Sequence, residues 1–399
     1  MTDGLYGAAT RGDGLNRLAQ FLPDAGQAYA AGRNTDHGPD QPGAVSKLSR
    51  YIRHRLITEQ EIFTHVLDRH PAASAQKFLQ EVFWRTYWKG WLEMRPAVWS
   101  RFLIECDRQR VAFLDSQAIT DAEQGRTGID GFDQWARELV DTGYLHNHAR
   151  MWFASIWIFT LRLPWALGAD FFLRHLIDAD AASNTLSWRW VAGLQTTGKT
   201  YLATAENIAR YTNGRFAPTG LSQTAVALTE PPVETVSELP DMMPFDANQP
   251  SLLLVTNEDM NPESLFSGNI AIKAACINAD PDLLWGNTAR RFVQTAAADT
   301  ATRTSAHFNC AVDVSKTLDA DTLISAAQAA GVRQIITPYA PVGPVADVLA
   351  RIRPVLMDHN ITLVQVRRKW DSQFWPHATK GYFAFKARMP AVLQDGNLS

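Results

Sequence analysis

Ten of the 13 tryptophans in this 399-residue chain fall between Trp84 and Trp190, and only Trp285, Trp370 and Trp375 lie elsewhere. An indole is bulky, and its N–H needs an acceptor when buried. A stretch loaded in this way builds either a large aromatic-walled pocket or an aromatic-filled helical core, and density leaves both open. The surrounding pattern is helical. Residues 75–94 carry Phe78, Leu79, Val82, Phe83 and Leu92 near a 3.6-residue period. Residues 130–145 and 147–163 repeat it, with Gly143 as a stop signal between them and Pro164 ending or kinking the second. A further helix is expected over 169–177.

The character changes at residues 217–249, where Pro218, Gly220, Pro231, Pro232 and Pro240 punctuate a Thr-, Ser- and acid-rich stretch that reads as a linker. Beyond it, β-type runs (252–256, 270–277, 308–312, 334–337 and 362–366) alternate with helical ones (288–298, 321–330 and 345–357), and Gly331 stands where a helix C-terminal glycine belongs. Such alternation implies a parallel sheet with helices on both faces. The fold class expected is therefore α plus α/β: a helical domain at 1–216, a linker at 217–249 and a Rossmann-like doubly wound domain at 250–399. No GxGxxG and no GxxxxGK[ST] is present, so neither a dinucleotide fingerprint nor a P-loop accompanies the sheet.

Composition narrows the partners. A net charge of −3 gives no global pull toward nucleic acid or membrane, so an anionic partner needs a local basic patch. Cys106, Cys276 and Cys310 lack CxxC spacing and cannot all pair, which fits reduced thiols in a cytoplasmic protein. The opening residues Met1-Thr2-Asp3-Gly4 lack a signal-peptide pattern, no apolar run approaches the roughly 18 residues that span a bilayer, and no obligate protein partner is expected.

Four constellations carry chemistry. Glu81, Trp84, Arg85 and Trp88 share one helix face, either as the wall of a polar-aromatic cleft or as an ordinary surface Glu–Arg pair. Asn147, Arg150, Met151 and Ala154 share another, although an Asn at a helix start is often only a cap. Asp178-Ala179-Asp180, followed by Asn184, Trp188 and Trp190, offers two loop carboxylates. DxD can hold Mg²⁺, but no metal is expected: beside Arg150 the two carboxylates could instead form a charge-assisted pair or accept hydrogen bonds from a ligand. Lys47, Arg50, Arg53, His54 and Arg55 around Ser46 and Ser49 suit a phosphate, or form a solvated charge run.

Taken together, these segments resemble the FAD-binding domain of DNA photolyases and cryptochromes. Ser46-Lys47-Leu48-Ser49-Arg50-Tyr51 is similar to the family's S-R-L-S-P-Y/C segment, and 78–85 (FLQEVFWR) to W-x-x-E-L-I-W-R. Residues 125–128 (GRTG) resemble G-K-T-G, and 143–151 (GYLHNHARM) resemble G-W-M-H-N-R-x-R-M. Residues 176–190 resemble L-I-D-G-D-x-x-x-N-N-x-x-W-Q-W. Order and near-constant spacing hold across residues 46–190.

The resemblance implies FAD held by Tyr29, Ser46, Lys47, Leu48, Ser49, Phe78, Glu81, Arg85, Asn147, Arg150, Asp178, Asp180, Asn184 and Trp188. Asn147 would face flavin N5, Arg150 and Asp178 would pair beside the ring, and Asp180 would accept from its N3–H. It further implies a deoxyribodipyrimidine photo-lyase, acting under blue light on pyrimidine dimers in damaged DNA. Glu81, Asn147, Met151, Trp84 and Trp190 would serve the reaction, and Trp188 and Trp165 would begin an electron relay. A cryptochrome-like photoreceptor without repair is the alternative. Phe78 replaces a pocket tryptophan, His148 replaces a phosphate-contacting arginine, and the outermost relay tryptophan has no counterpart. The segments 331–336, 344–357 and 380–385 resemble the family's antenna domain, which implies a permuted domain order and leaves open a second, antenna chromophore.

Overall fold

The computed structural model describes residues 7–389, apart from 234, 235 and 267. Helices come first in the chain: Arg11–Phe21 (α1), Gln27–Gly32 (α2), Ser49–Arg53 (α3), Glu59–Arg69 (α4), Ala72–Glu93 (α5), Ala97–Ala112 (α6), Gln117–Glu123 (α7) and Phe132–Thr142 (α8). Asn147–Ser155 (α9), Trp165–His175 (α10), Ala181–Val191 (α11) and Ala205–Tyr211 (α12) follow. Local chemistry explains several of the ends. Thr58 and Glu61 form a reciprocal capping box at the start of α4. Gly143 closes α8 in the left-handed region at φ 69°. The expected helix over 147–163 is interrupted: α9 stops at Ser155 and a π turn covers Ile156–Thr160 before Pro164.

Residues 217–249 hold no helix or strand among those described. They do not swing free. The Leu228 N–H donates to the Ala192 carbonyl, Ser237 to that of Met94, and Arg189 pairs with Glu230, which lays the segment along the helical body.

The sheet follows: Ser251–Val255 (β1), Ile272–Asn278 (β2), Ala311–Ser315 (β3), Gln334–Pro338 (β4) and Thr362–Val366 (β5), with α13 (Asn287–Phe308), α14 (Ala320–Ala329) and α15 (Pro344–Asp358) between strands. All four pairings are parallel and the strand order is β3-β2-β1-β4-β5, a doubly wound sheet. The strand expected at 308–312 starts later, because α13 runs on to Phe308 and ends at left-handed Asn309. Every residue of central β1 is buried, as a strand covered on both faces requires. Leu252 and Leu254 join the core under α14 and α15. Leu253 and Val255 join the core that contains the helical body, so hydrophobic packing is continuous from the helices into the sheet.

The chain then returns to the helices through α16 (Lys369–Phe374) and α17 (Tyr382–Lys386), both packed on α5. Trp370 donates its indole N–H to the Thr86 hydroxyl at 3.0 Å, and Phe385 stacks on Phe83 at 4.5 Å. A Cβ on Gly90 would lie 2.9 Å from the backbone of buried Trp375. Alanine normally gains over glycine inside a helix, but here the helix and backbone must part. Gly90→Ala is expected to destabilise the protein by about 1–3 kcal/mol, read as a lower urea midpoint.

Candidate flavin-binding cavity

A cavity of about 620 Å³ opens among α2, α5, α9 and α11, within the size range of cofactor sites. The side chains that line it come from separate places in the chain. Ser46 and Ser49 stand before and at the start of α3, and Tyr29 and Arg33 flank the end of α2. The long α5 contributes Phe78, Glu81, Trp84, Arg85 and Trp88; α9 contributes Asn147, Arg150 and Met151. Asp178, Asp180, Asn184, Trp188 and Trp190 come from α11 and the loop before it.

Two expected contacts fall outside this lining. Leu48 is fully buried in the hydrophobic core. Lys47, at φ 56°, turns to a small neighbouring pocket shared with Glu138, Tyr144 and His146. Trp165 also lies elsewhere, half-buried against Phe102 at 5.6 Å. Trp188 meets Phe172 at 5.1 Å and Trp157 at 6.3 Å.

The tryptophan density divides between its two readings. Trp84, Trp88, Trp188 and Trp190 line the cavity. Trp99, Trp135, Trp152 and Trp157 are core, each at most 2% exposed. Trp135, Trp152 and Trp157 donate to Asp36, Asn207 and the Pro164 carbonyl, respectively, which meets the need of a buried N–H.

The basic run at 47–55 also departs from expectation. Arg53 and Arg55 are buried, and they face the carboxylates of Glu258, Asp259 and Asp371 rather than the cavity. Ser46 and Ser49 remain as the polar lining from that segment.

Arg150 donates Nη2 to both oxygens of Asp178, at 3.2 and 3.0 Å, and Nε to the Leu145 carbonyl at 3.0 Å. Burial pushes the Asp178 carboxyl up, but Arg150 and the Ser49 hydroxyl outweigh it and hold it below its usual range. Asp180 caps α11 through the Ser183 N–H at 2.7 Å. Its other oxygen receives Arg85 at 3.0 Å and Lys89 at 3.2 Å, so it is held ionised by cations. Arg85 thus serves Asp180 and Glu59 rather than Glu81.

Glu81 pairs with Arg33, a residue the sequence patterns do not single out. Burial raises the Glu81 carboxyl, and Arg33 works against that rise. His146, not Asn147, caps α9, which leaves the Asn147 side chain exposed in the cavity lining. His148 stacks on Trp152 at 4.9 Å and bonds the Asn34 carbonyl; burial lowers its pKa, which favours a neutral ring.

Three aromatic contacts had no signal in the patterning. Tyr382 stacks on one face of Trp84 at 3.5 Å, Tyr201 stacks on Trp190 at 5.6 Å, and Phe383, 83% exposed, reaches the cavity lining from α17. Tyr382 and Phe383 are brought in by a chain segment remote from the motifs, whereas Tyr201 folds back from just beyond the last of them.

The lining offers a direct test of fit for a flavin nucleotide. The lining carries the polar set that a flavin nucleotide needs: the Ser46 and Ser49 hydroxyls, the exposed Asn147 amide and the Arg150–Asp178 pair, with the Trp188 ring at the wall. Hydroxyls suit phosphate oxygens, and an amide and an ion pair suit the polar edge of a flat heteroaromatic ring. Gly168 makes the placement of Trp188 possible, since a Cβ there would meet the Trp188 ring at 2.3 Å. The residues fit.

The small pocket beside Lys47 contains a titrating group. Burial, with Asp36 adding to it, pushes the Glu138 carboxyl up to about 8. The native state keeps this proton while the unfolded chain loses it near its ordinary carboxylate pKa. Its contribution to stability therefore falls as pH rises from about 4.5 to about 8. Glu138→Gln, which fixes the neutral form, is expected to raise the urea midpoint at pH 8 and leave it nearly unchanged at pH 4.5.

Residues 78–216 match the family model described as the FAD binding domain of DNA photolyase. A deoxyribodipyrimidine photo-lyase of Alkalihalophilus pseudofirmus is 31% identical over 188 residues, 47% of this chain and 38% of that protein. One from Streptomyces griseus is 34% identical over 154 residues, 38% of this chain and 33% of that protein. A class III photolyase structure from Agrobacterium tumefaciens overlaps 51% of this chain and 43% of its own, at 26% identity and a TM-score of 0.44, too slight an overlap to carry weight. The aligned regions span about a third to two fifths of the two curated relatives' length. The chain is thus similar, over part of its length, to the FAD binding domain of DNA photolyase and to two deoxyribodipyrimidine photo-lyases.

Proposed function

We propose that the cavity holds FAD and that the protein is a light-dependent enzyme repairing cyclobutane pyrimidine dimers in DNA. The observation that carries this reading is convergence. Glu81, Trp84, Asn147, Met151 and Trp190 line the same cavity as the Arg150–Asp178 pair. FAD, when bound, supplies light absorption and single-electron transfer. The protein residues position and solvate. Ser46 and Ser49 hydroxyls would hold phosphate oxygens, the uncharged Asn147 amide would face the flavin ring, and the Arg150–Asp178 pair would fix its edge. Asp180, Asn184 and Trp188 would close the polar side.

A dimer flipped from the duplex would enter between Trp84 and Trp190 and touch Met151. Unstacking costs a few kcal/mol and is smallest for a damaged base. Glu81, with its carboxyl raised by burial, can donate a hydrogen bond when protonated. Arg33 must first release it.

That last requirement favours a second reading. With Glu81 engaged by Arg33, one face of Trp84 covered by Tyr382, and His148 favoured neutral, the lesion side is less prepared than the flavin side. A photoreceptor that keeps FAD and signals would need only the latter. In either reading the sheet at 250–399 corresponds to the photolyase antenna domain in permuted order. At the β1/β4 switch point the residues that follow the strands, Thr256, Asn257, Glu258 and Tyr339, are buried, with Arg53 and Lys89 bonded to Glu258. A second chromophore would need another seat.

The deciding experiment is illumination of the purified full-length chain with thiol reductant. Flavin absorbance that bleaches in blue light, with salt-dependent binding and restoration of dimer-containing DNA, is the expected result. Bleaching without repair transfers the protein to the photoreceptor reading. A colourless protein that takes up no FAD removes both.

A further inference from the structure

Behind the cavity wall lies a group of charges that flavin binding alone does not explain. Glu258, on the loop after β1, receives Arg53 at both oxygens, Nη1 at 2.9 Å and Nη2 at 2.7 Å, and Lys89 at 3.1 Å. The same Lys89 ammonium is 3.2 Å from Asp180, and Arg53 Nε is 3.6 Å from it. Arg85 completes the ring around Asp180 and also reaches Glu59. Glu59 meets Arg55, which meets Asp259 and Asp371, and Arg368 binds Asp259. Five cations, Arg53, Arg55, Arg85, Lys89 and Arg368, thus face five carboxylates, Glu59, Asp180, Glu258, Asp259 and Asp371. Asp180 lines the cavity; Glu258 does not.

We infer that Glu258 is a positioning residue for the cavity: through Lys89 and Arg53 it sets the place of Asp180 and the potential felt by a bound flavin. The inference rests on the reading that the cavity holds FAD. The side chains of Glu258, Lys89, Arg53 and Asp180 are at most 6% exposed, so water screens their interaction little. Neutralising Glu258 leaves one uncompensated positive charge. Lys89 and Arg53, released from Glu258, would bear on Asp180 alone and draw it away from the cavity. The excess positive charge would also favour the more negative, reduced form of a flavin. The sheet therefore acts on the cofactor cavity through one carboxylate at the end of its central strand.

The test compares full-length wild type with Glu258→Gln, Glu258→Asp, Lys89→Met and the Lys89→Met/Glu258→Gln double variant. FAD affinity is measured by fluorescence titration, and the midpoint potential of the bound flavin by spectroelectrochemistry. Glu258→Gln is expected to shift the potential to more positive values and weaken FAD about tenfold, as loss of a supporting residue behind a ligand site does. Glu258→Asp should recover most of both. Lys89→Met, of opposite charge change, should shift the potential negative, and the charge-balanced double variant should return toward wild type. If Glu258→Gln does not fold, the opposite shift in Lys89→Met and its reversal in the double variant carry the test. Wild-type affinity and potential throughout would overturn the inference while leaving the FAD reading intact. A wild type that binds no FAD overturns both.

Discussion

The structure depends on five cations matched by five carboxylates in one largely buried network, part of which joins the two ends of the chain. Arg53 and Arg55 on and just after α3 cross to Glu258, Asp259 and Asp371, each side chain at most 6% exposed. Ions held this dry are costly to strip of water, and the arrangement is tolerable only when every partner is present. The network therefore does more to specify than to stabilise. It admits one docking of sheet on helices, the one in which each charge finds its opposite. Apolar packing is less selective, since the core that runs from Phe83 through Trp370 to Leu253 could accept small slides that the ion pairs cannot.

That fixed docking gives the cavity its shape. The long α5 is the shared element: one side carries Glu81, Trp84, Arg85 and Trp88 to the cavity, and another receives α16, α17 and Trp375. Residues on the return segment consequently become part of the site. Tyr382 stacks on Trp84, and Phe383 reaches the cavity lining although it lies 305 residues from Phe78, the first aromatic of α5 that does so. Arg85 and Lys89, one turn apart on α5, transmit the charge arrangement to Asp180. Cofactor side and sheet side are thus two faces of one helix.

Motif-borne contacts were the most legible. Asn147, Arg150, Asp178, Asp180, Asn184 and Trp188 all reach the cavity, because helix periodicity and short loops fix their relative placement locally. The parallel sheet was legible for the same kind of reason: β1, β4 and β5 lie within a residue or so of their apolar runs. What failed were inferences about where a charged or bulky side chain turns. The arginines at 53 and 55 suited a phosphate by sequence, yet each bonds a carboxylate more than 200 residues away. Lys47 took a left-handed backbone and left the lining. Arg33 carried no pattern, although it holds Glu81.

By itself the sequence determined the kinds of element and their order, since these follow from periodicity, caps and spacing within a few turns of chain, and its motifs, through the family they resemble, named the groups able to surround a flavin. Tertiary structure decided which tryptophans wall the cavity and which fill the core. It also decided which cations face a ligand and which are spent on carboxylates, and which remote aromatics form the lip. The reason is physical: a side chain's environment is set by whatever packs against it, and for Arg53, Trp84 and Asp180 that neighbour arrives from a segment whose approach no local rule encodes.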